Sequence, residues 1–414
     1  MGEPPRDRIL VVGGGAAGMF GAIACAGVNP HARITLLEAG AQVLAKVRIS
    51  GGGRCNVTHH CFDPALLVQH YPRGGKALRG AFHAFQPRDT LHWFETRGVA
   101  LKTESDGRVF PVSDDASTII DCLVAEAKGL GIRLRTHAAV KRITKVGAAF
   151  QVTITQQPDP LVADRLLLAT GSSAQGYRLA AALGHTIVPP VPSLFTFQIV
   201  DPKLHERAGL SVNPVRATLK VANHPPLTQA GALLVTHWGF SGPVILRLSA
   251  WGARALAESN YQATLVVNWL PRFTGDELRT CLETCRTEMP KRAIANHCPF
   301  PLPRRLWSYW LETVTLPPDQ TWAHLSKKSA QQLAAVLHRS QFTIVGKGVF
   351  KEEFVTCGGV DLKDIDFKTM ASRRCPGLFL AGEILDIDGV TGGFNLQSAW
   401  TTGWIAGQNL GRHG

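Results

Sequence analysis

Between Arg8 and Glu38 the chain reads RILVVGGGAAGMFGAIACAGVNPHARITLLE, and this stretch leaves few folds open. A short apolar strand, Arg8 to Val12, runs into Gly13-Gly14-Gly15-Ala16-Ala17-Gly18, a G-x-G-x-x-G pattern. A helix of small residues continues from Met19 to Val28, and a second strand, Ile34 to Leu37, ends in Glu38. In such a unit the first glycine allows a tight turn and the second lets a diphosphate approach the backbone. The third lets helix and strand pack closely, so that the helix N-terminal amides face the phosphates. Gly13, Gly15 and Gly18 take these places, with Ala16 and Ala17 in the turn between them. An acid about twenty residues on accepts hydrogen bonds from a ribose diol. Glu38 stands there, so the ligand is an adenine dinucleotide with an unphosphorylated ribose, NAD or FAD.

The rest of the chain separates the two. NAD enzymes continue at once with further strand and helix units, whereas here a glycine-rich loop, KVRISGGGRCNVTHH, runs from Lys46 to His60 and short helices follow to about residue 97. Ile132 to Thr155 reads as strands in close succession, a β-meander crossing the sheet, with Val140 expected as a cofactor contact. ADRLLLATGSS is a buried strand ending at Ala169-Thr170-Gly171. Near the C-terminus a strand leads to Gly382-Glu383, and Gly392-Gly393 opens a helix from about Asn395 to Leu410. A returning strand with an acid at its end, followed by a helix whose N-terminus faces the flavin N1–C2=O region, holds a ribityl chain and an isoalloxazine ring. The assignment is therefore FAD, with Thr170, Gly171, Gly382, Glu383, Gly393, Asn395 and Leu396 among its contacts. No His or Cys is singled out for covalent attachment, so the FAD is expected to be non-covalent. A second G-x-G-x-x-G is absent, which leaves NAD(P)H only as a transient electron donor.

With 414 residues, 45% of them hydrophobic, the chain can bury two or three cores. Nine scattered cysteines without paired metal-ligand spacing read as free thiols in a reducing compartment, and no metal site is expected. No apolar signal region precedes the first strand and no long apolar run follows, so the expected localisation is cytoplasmic, without a membrane. The formal net charge of +13 favours a polyanionic partner. From 191 to 345 there are 16 Lys and Arg against 9 Asp and Glu, whereas 346 to 414 carries 7 against 8. The middle of the chain is the basic part.

A proline-rich stretch, IVPPVPSLFTFQIV, marks the exit from the first domain near residue 190. Strand-like segments follow at Leu194 to Val200, Ala217 to Val221, Ala232 to Thr236 and Thr264 to Val267, with a return at Phe342 to Val345. Thr274 to Glu288 and Ser326 to Ser340 read as amphipathic helices, the first opening with Thr274 and Glu277 at capping-box spacing. Ser241-Gly242-Pro243 reads as a helix start, and no G-x-S-x-G elbow makes Ser241 a nucleophile. Arg286, Lys291, Arg292, Arg304 and Arg305 lie close in sequence to Phe300, Trp307, Tyr309 and Trp310, which combines phosphate attraction with rings on which bases could stack.

KVRISGGGRCNVTH, THWGFSGPVILRLS and the stretch from Val355 to Gly403 resemble the BaiN-like, aminoacetone-oxidase-like family of FAD proteins over essentially the whole chain. The resemblance implies an α/β fold, a Rossmann-like FAD domain of two-dinucleotide-binding type built from both chain ends. It is interrupted by an inserted β-rich domain and a small helical domain. The expected divisions are 1–190 and 349–414 for the FAD domain, 191–268 and 341–348 for the β-rich domain, and 269–340 for the helical one. Members are associated with amine oxidation, with reduction of conjugated double bonds in steroid acids, and with reduction of uracil in ribosomal RNA. The glycine loop then passes along the pyrophosphate and flavin, with Gly52, Gly53 and Asn56 beside the cofactor and Arg54 offsetting its charge. Lys46 matches a basic position of the family. Cys55 is the candidate proton donor.

The expected activity is an FAD-dependent oxidoreductase that reduces an activated C=C bond by hydride transfer from flavin N5, on a small molecule or on uracil in ribosomal RNA. The alternatives are an O2-using oxidase of a small amine and a non-catalytic flavin-bearing RNA-binding protein. Oligomeric state is left open.

Overall fold

A computed structural model describes residues 7–155, 157–348 and 355–412. Residues 1–6, at the start of the chain, and residue 349, where the second FAD segment is expected to begin, lie outside the described residues. The chain falls into two compact units, Met1–Val191 with Val355–Gly414, and Pro192–Phe354.

The first unit is built on a seven-stranded sheet. Its order is Ile365–Asp366, Ala371–Ser372, Leu378–Leu380, Arg165–Leu168, Arg8–Val12, Arg33–Leu37 and Arg133–Arg135. The five strands from Leu378–Leu380 to Arg133–Arg135 are parallel. Ile9 to Val12 and Leu166 to Leu168 are buried without alternation, as strands covered on both faces must be. Arg133–Arg135 joins this sheet at its edge, whereas the sequence placed it in the meander. The meander consists of Val140–Val146, Ala149–Ile154 and Leu161–Ala163.

Two helices set the site. Ala16–Val28 follows the first strand, and Phe394–Arg412 packs along it. A Cβ on Gly403 would stand 2.5 Å from the Ala17 carbonyl oxygen, one on Gly407 2.2 Å from that of Gly21, and one on Gly411 3.0 Å from that of Cys25. Glycines four apart therefore let the helices touch backbone to backbone, in a register that runs the same way along both. The pair is parallel. Gly403 is nine residues past the start of the C-terminal helix and Ala17 one past that of the first, so the C-terminal helix begins eight residues further out, about 12 Å at 1.5 Å per residue.

The second unit holds a closed six-stranded barrel, with strands in the order Phe197–Ile199, Gly239–Ser241, Leu227–Thr236, Ser211–Lys220, Ala263–Asn268 and Ser340–Lys347. Its helices include Pro243–Trp251, Gly275–Glu288, Arg304–Thr313 and Lys327–Arg339. Thr274 and Glu277 make the expected capping box, and Gly242 starts the helix at Pro243. Barrel and helices share one core, in which Trp269 packs edge-on against Trp310 and Phe342.

That core corrects the reading of the basic and aromatic cluster. Trp307 is 0% exposed, Trp310 2%, Tyr309 4% and Phe300 5%. The rings fill the interior and offer no surface on which a base could stack.

Candidate functional site

The three glycines of the fingerprint differ in kind. Gly13 sits at φ +106°, and a Cβ there would meet the Ala169 carbonyl oxygen at 2.3 Å. At Gly18 it would meet the Gly13 carbonyl oxygen at 2.0 Å. Both are glycine because the protein fills the space. Gly15 has φ −78° and ψ −170°, open to any residue, and nothing lies within 4 Å of its missing side chain. It is the N-cap of the first helix, which has no side-chain cap and no acid in its first turn. Unpaired amides and open space at one helix N-terminus form a cradle for a diphosphate.

Glu38 is fastened beside the cradle, one carboxylate oxygen accepting from the Gly14 amide and the other from the Gly40 amide, both at 2.8 Å. Ala138 N–H donates to the Glu38 carbonyl at 2.8 Å, which brings the start of the meander to the same end. Val140 is 6% exposed there, and its carbonyl accepts from the Gln175 side chain at 3.2 Å.

On the other side, the Lys46 ammonium meets the Glu383 carboxylate and the Ser172 hydroxyl, the latter at 3.0 Å. Glu383 also accepts from the Thr356 amide at 3.2 Å. Gly382, at φ +77°, donates its amide to the Thr402 hydroxyl at 2.9 Å. Gly171 turns at φ +60° within reach of the Glu383 carboxylate. The Thr170 hydroxyl and the Tyr177 phenol are buried without hydrogen-bond partners. Burial, with the charges of Glu383 and Asp386, holds the Tyr177 hydroxyl well above its ordinary range.

The loop Gly51-Gly52-Gly53 is left-handed throughout. A side chain on Gly51 would strike the Asn56 amide at 2.9 Å, whereas Gly52 and Gly53 face open space. Asn56 ties this loop to the C-terminal helix: its side-chain oxygen accepts from the Gly393 amide at 2.9 Å, and its NH2 donates to the Thr58 carbonyl at 3.0 Å. Asn395 closes the preceding turn, accepting from the Gly389 amide at 2.8 Å and donating to its carbonyl at 2.9 Å. Leu396 follows, half-buried.

Two expectations are corrected. Arg54 gives its guanidinium to Glu104 at 2.7 Å and Asp114 at 3.4 Å and lies over the Phe110 ring at 4.0 Å. Its charge is answered inside the protein. Cys55 is 0% exposed, at φ +61°. A group that touches cofactor or substrate must be open to solvent when neither is present. Burial pushes the Cys55 thiol up to about 12, against a weaker opposing hydrogen bond with Ser50. The thiol is sealed in packing and held protonated, which speaks against the expected proton-donor role.

Sequence reasoning missed the side chains that support the C-terminal helix. Gln397 accepts from the Thr58 hydroxyl at 2.5 Å and the Thr90 hydroxyl at 2.9 Å, and donates to Thr401 at 3.0 Å. The Tyr71 hydroxyl donates to the Phe394 carbonyl at 2.7 Å. Arg73 pairs with Asp388, which is 0% exposed. His59 stacks on Phe394 with ring centroids 4.7 Å apart; one ring nitrogen lies 3.1 Å from the Asp106 carbonyl oxygen, and Nδ1 is buried without a partner. Burial lowers its pKa.

Fold and site together define a dinucleotide-binding protein with an open diphosphate cradle at one helix and a second helix N-terminus set further out. The chain belongs to the HI0933-like family, whose Rossmann-domain model matches residues 7–409. It is 28% identical over 410 residues to a 3-dehydro-bile acid delta(4,6)-reductase of Clostridium scindens, covering 97% of this chain and 98% of that one. It is likewise 28% identical over 415 residues to a ribosomal RNA dihydrouridine synthase of Escherichia coli K12, covering 98% of each. The 3-ketosteroid-delta4-(5alpha)-dehydrogenase of Rhodococcus jostii RHA1 shares the fold at 13% identity, with a TM-score of 0.53 over 99% of this chain and 100% of that one. The family and its curated relatives support a flavin as this chain's cofactor. Among the described residues no helix is long and apolar enough to cross a membrane, and no group of three or more His, Cys, Asp or Glu could hold a metal.

Proposed function

We propose that the chain binds FAD non-covalently and reduces an activated carbon–carbon double bond, that of uracil in structured RNA. The observation that carries the cofactor reading is the parallel helix pair, with an open cradle at the first N-terminus and a second N-terminus about 12 Å beyond it. That spacing suits a ligand whose diphosphate is separated by a short chain from a ring that takes negative charge on reduction. Gly15 and the amides after it would hold the diphosphate. Glu38 would take the adenosine ribose, and Glu383, held by Lys46, the ribityl hydroxyls. The turn closed by Asn395 would present the second helix N-terminus to the ring.

When bound, the flavin would supply hydride to the β carbon of a polarised double bond. The substrate class is supported by relatives over nearly full length named for reducing a bile acid and for making dihydrouridine in ribosomal RNA, and by the basic composition of residues 191–345. Uracil carries the same conjugated carbonyl and double bond as an enone. NAD(P)H, for which no second fingerprint exists, would serve as a transient donor.

Acid or heat treatment tests the cofactor: it should release free FAD into the supernatant, and flavin retained by the precipitate, or FMN, would refute it. Mixing the photoreduced protein with air or with substrate separates reductase from oxidase. Slow reoxidation by air and fast reoxidation by substrate are expected, and the reverse order would identify an oxidase.

A further inference from the structure

In the second unit the stretch from Met289 to Leu311 contains Lys291, Arg292, Arg304 and Arg305 and no carboxylate. All four cations are exposed. Their partners are neutral: Arg304 reaches the Asn296 amide oxygen at 3.4 Å, Arg292 the Met289 sulfur at 4.0 Å, and Arg305 the backbone carbonyl of Glu206 at 2.8 Å. Other arginines of the chain have carboxylate partners, as Arg54 has Glu104 and Arg97 has Glu126.

The segments that carry the four are tied to one another. The Trp307 ring N–H donates to the Ile294 carbonyl at 2.9 Å, which sets the helix Arg304–Thr313 against the turn after Arg292. Trp322 N–H donates to the Arg292 carbonyl at 3.0 Å, and Ala323 N–H to that of Pro290. This carries the connection on to exposed Lys327 and Lys328, which open the helix Lys327–Arg339. Both helices thus bear paired cations and no acid in their first turns, where the helix dipole disfavours positive charge. An external polyanion would offset that cost.

We propose that this face, Lys291, Arg292, Arg304, Arg305, Lys327 and Lys328, docks the phosphate backbone of structured RNA. The proposal rests on the RNA reading above. Because the aromatic side chains of the cluster are buried beneath it, the face reads backbone charge and shape rather than bases. Docking and choice of base are thereby separate tasks.

The test compares the wild-type holoprotein with a Lys291→Glu/Arg304→Glu/Lys327→Glu/Lys328→Glu variant on an unmodified ribosomal RNA hairpin transcript. Three of the four changes put an acid into a helix first turn, so the fold should be kept; an unchanged melting temperature and flavin content check this. Expected is a loss of RNA affinity of about 100-fold or more and a salt dependence shallower by about three to four phosphate contacts. Reoxidation of the reduced flavin by a small enone should not change. A variant with wild-type affinity and salt slope, on RNA that wild-type protein binds and reduces, overturns the docking face and leaves the RNA reading intact. Wild-type protein that neither binds RNA nor is reoxidised by it overturns the RNA reading itself. Tight binding to phosphatidylglycerol vesicles without RNA binding makes a membrane the partner and overturns the proposal.

Discussion

Replacing Gly15 by Asp separates ligand from fold. The φ of −78° admits any residue and no atom lies within 4 Å, so the side chain meets no protein. Aspartate is moreover a good N-cap, better than glycine by a few tenths of a kcal/mol, so the cofactor-free variant should melt within about 1 °C of cofactor-free wild type. For the diphosphate the change is severe. A carboxylate about 4 Å from each of two negative charges costs about 2 kcal/mol at the dielectric of bulk water and about 8 kcal/mol at an effective value near 20. Affinity should therefore fall between about 30-fold and about a million-fold. The assay is flavin per chain after purification, then calorimetric titration of cofactor-free protein with FAD. Gly18→Ala is the contrast, since its Cβ would lie 2.0 Å from a backbone oxygen and should prevent folding. A Gly15→Asp protein that stays fully yellow, or that fails to fold as Gly18→Ala does, refutes the division of the fingerprint into structural and ligand glycines.

Cys55→Ala should keep turnover within about threefold of wild type, where loss of a general acid costs about 100-fold or more; a 100-fold drop in single-turnover rate would restore Cys55 to the chemistry. Asp388→Ala strips a buried partner from Arg73 and should destabilise the first unit by about 3–5 kcal/mol in urea, and a change under 1 kcal/mol would contradict the placement of that pair. His185 is buried between the Ala180 carbonyl and the Ser372 hydroxyl, and burial lowers its pKa below 6.5. Below pH 6.5 the unfolded chain therefore binds a proton that the folded chain refuses, and stability is lost as pH falls through that value. His185→Gln should lose less melting temperature between about pH 7.5 and 5.5 than wild type, and an equal loss in both would refute the assignment.

What could be read in advance was local. The turn, helix and acid of the first βαβ unit lie within about thirty residues, and each has its own backbone requirement. The capping box at Thr274 is a matter of three residues, and it forms. The failures are of two kinds. Arg54 was assigned to the cofactor because Glu104 and Asp114, 50 and 60 residues away, could not be placed beside it. The same distance hid Gln397 from Thr58 and Asp388 from Arg73, which are brought together only by the docked C-terminal helix. The aromatic cluster is different, because its signal was present. Leu306, Trp307, Tyr309, Trp310 and Leu311 face inward at helical spacing, with Arg304, Arg305 and Glu312 opposite. Charge drew attention to the exposed face of that helix, while its rings point into the core.

The most direct measurement is an anaerobic single turnover. Holoprotein reduced to completion is mixed with an unmodified uracil-containing ribosomal RNA transcript, and the visible flavin absorption and the dihydrouridine in the RNA are followed together. The expected result is return of the oxidised flavin band with one dihydrouridine formed per flavin, and no return without RNA. Reduced flavin that persists with the RNA and with small enones, but is oxidised at once by air and reduced again by a small amine, would contradict it.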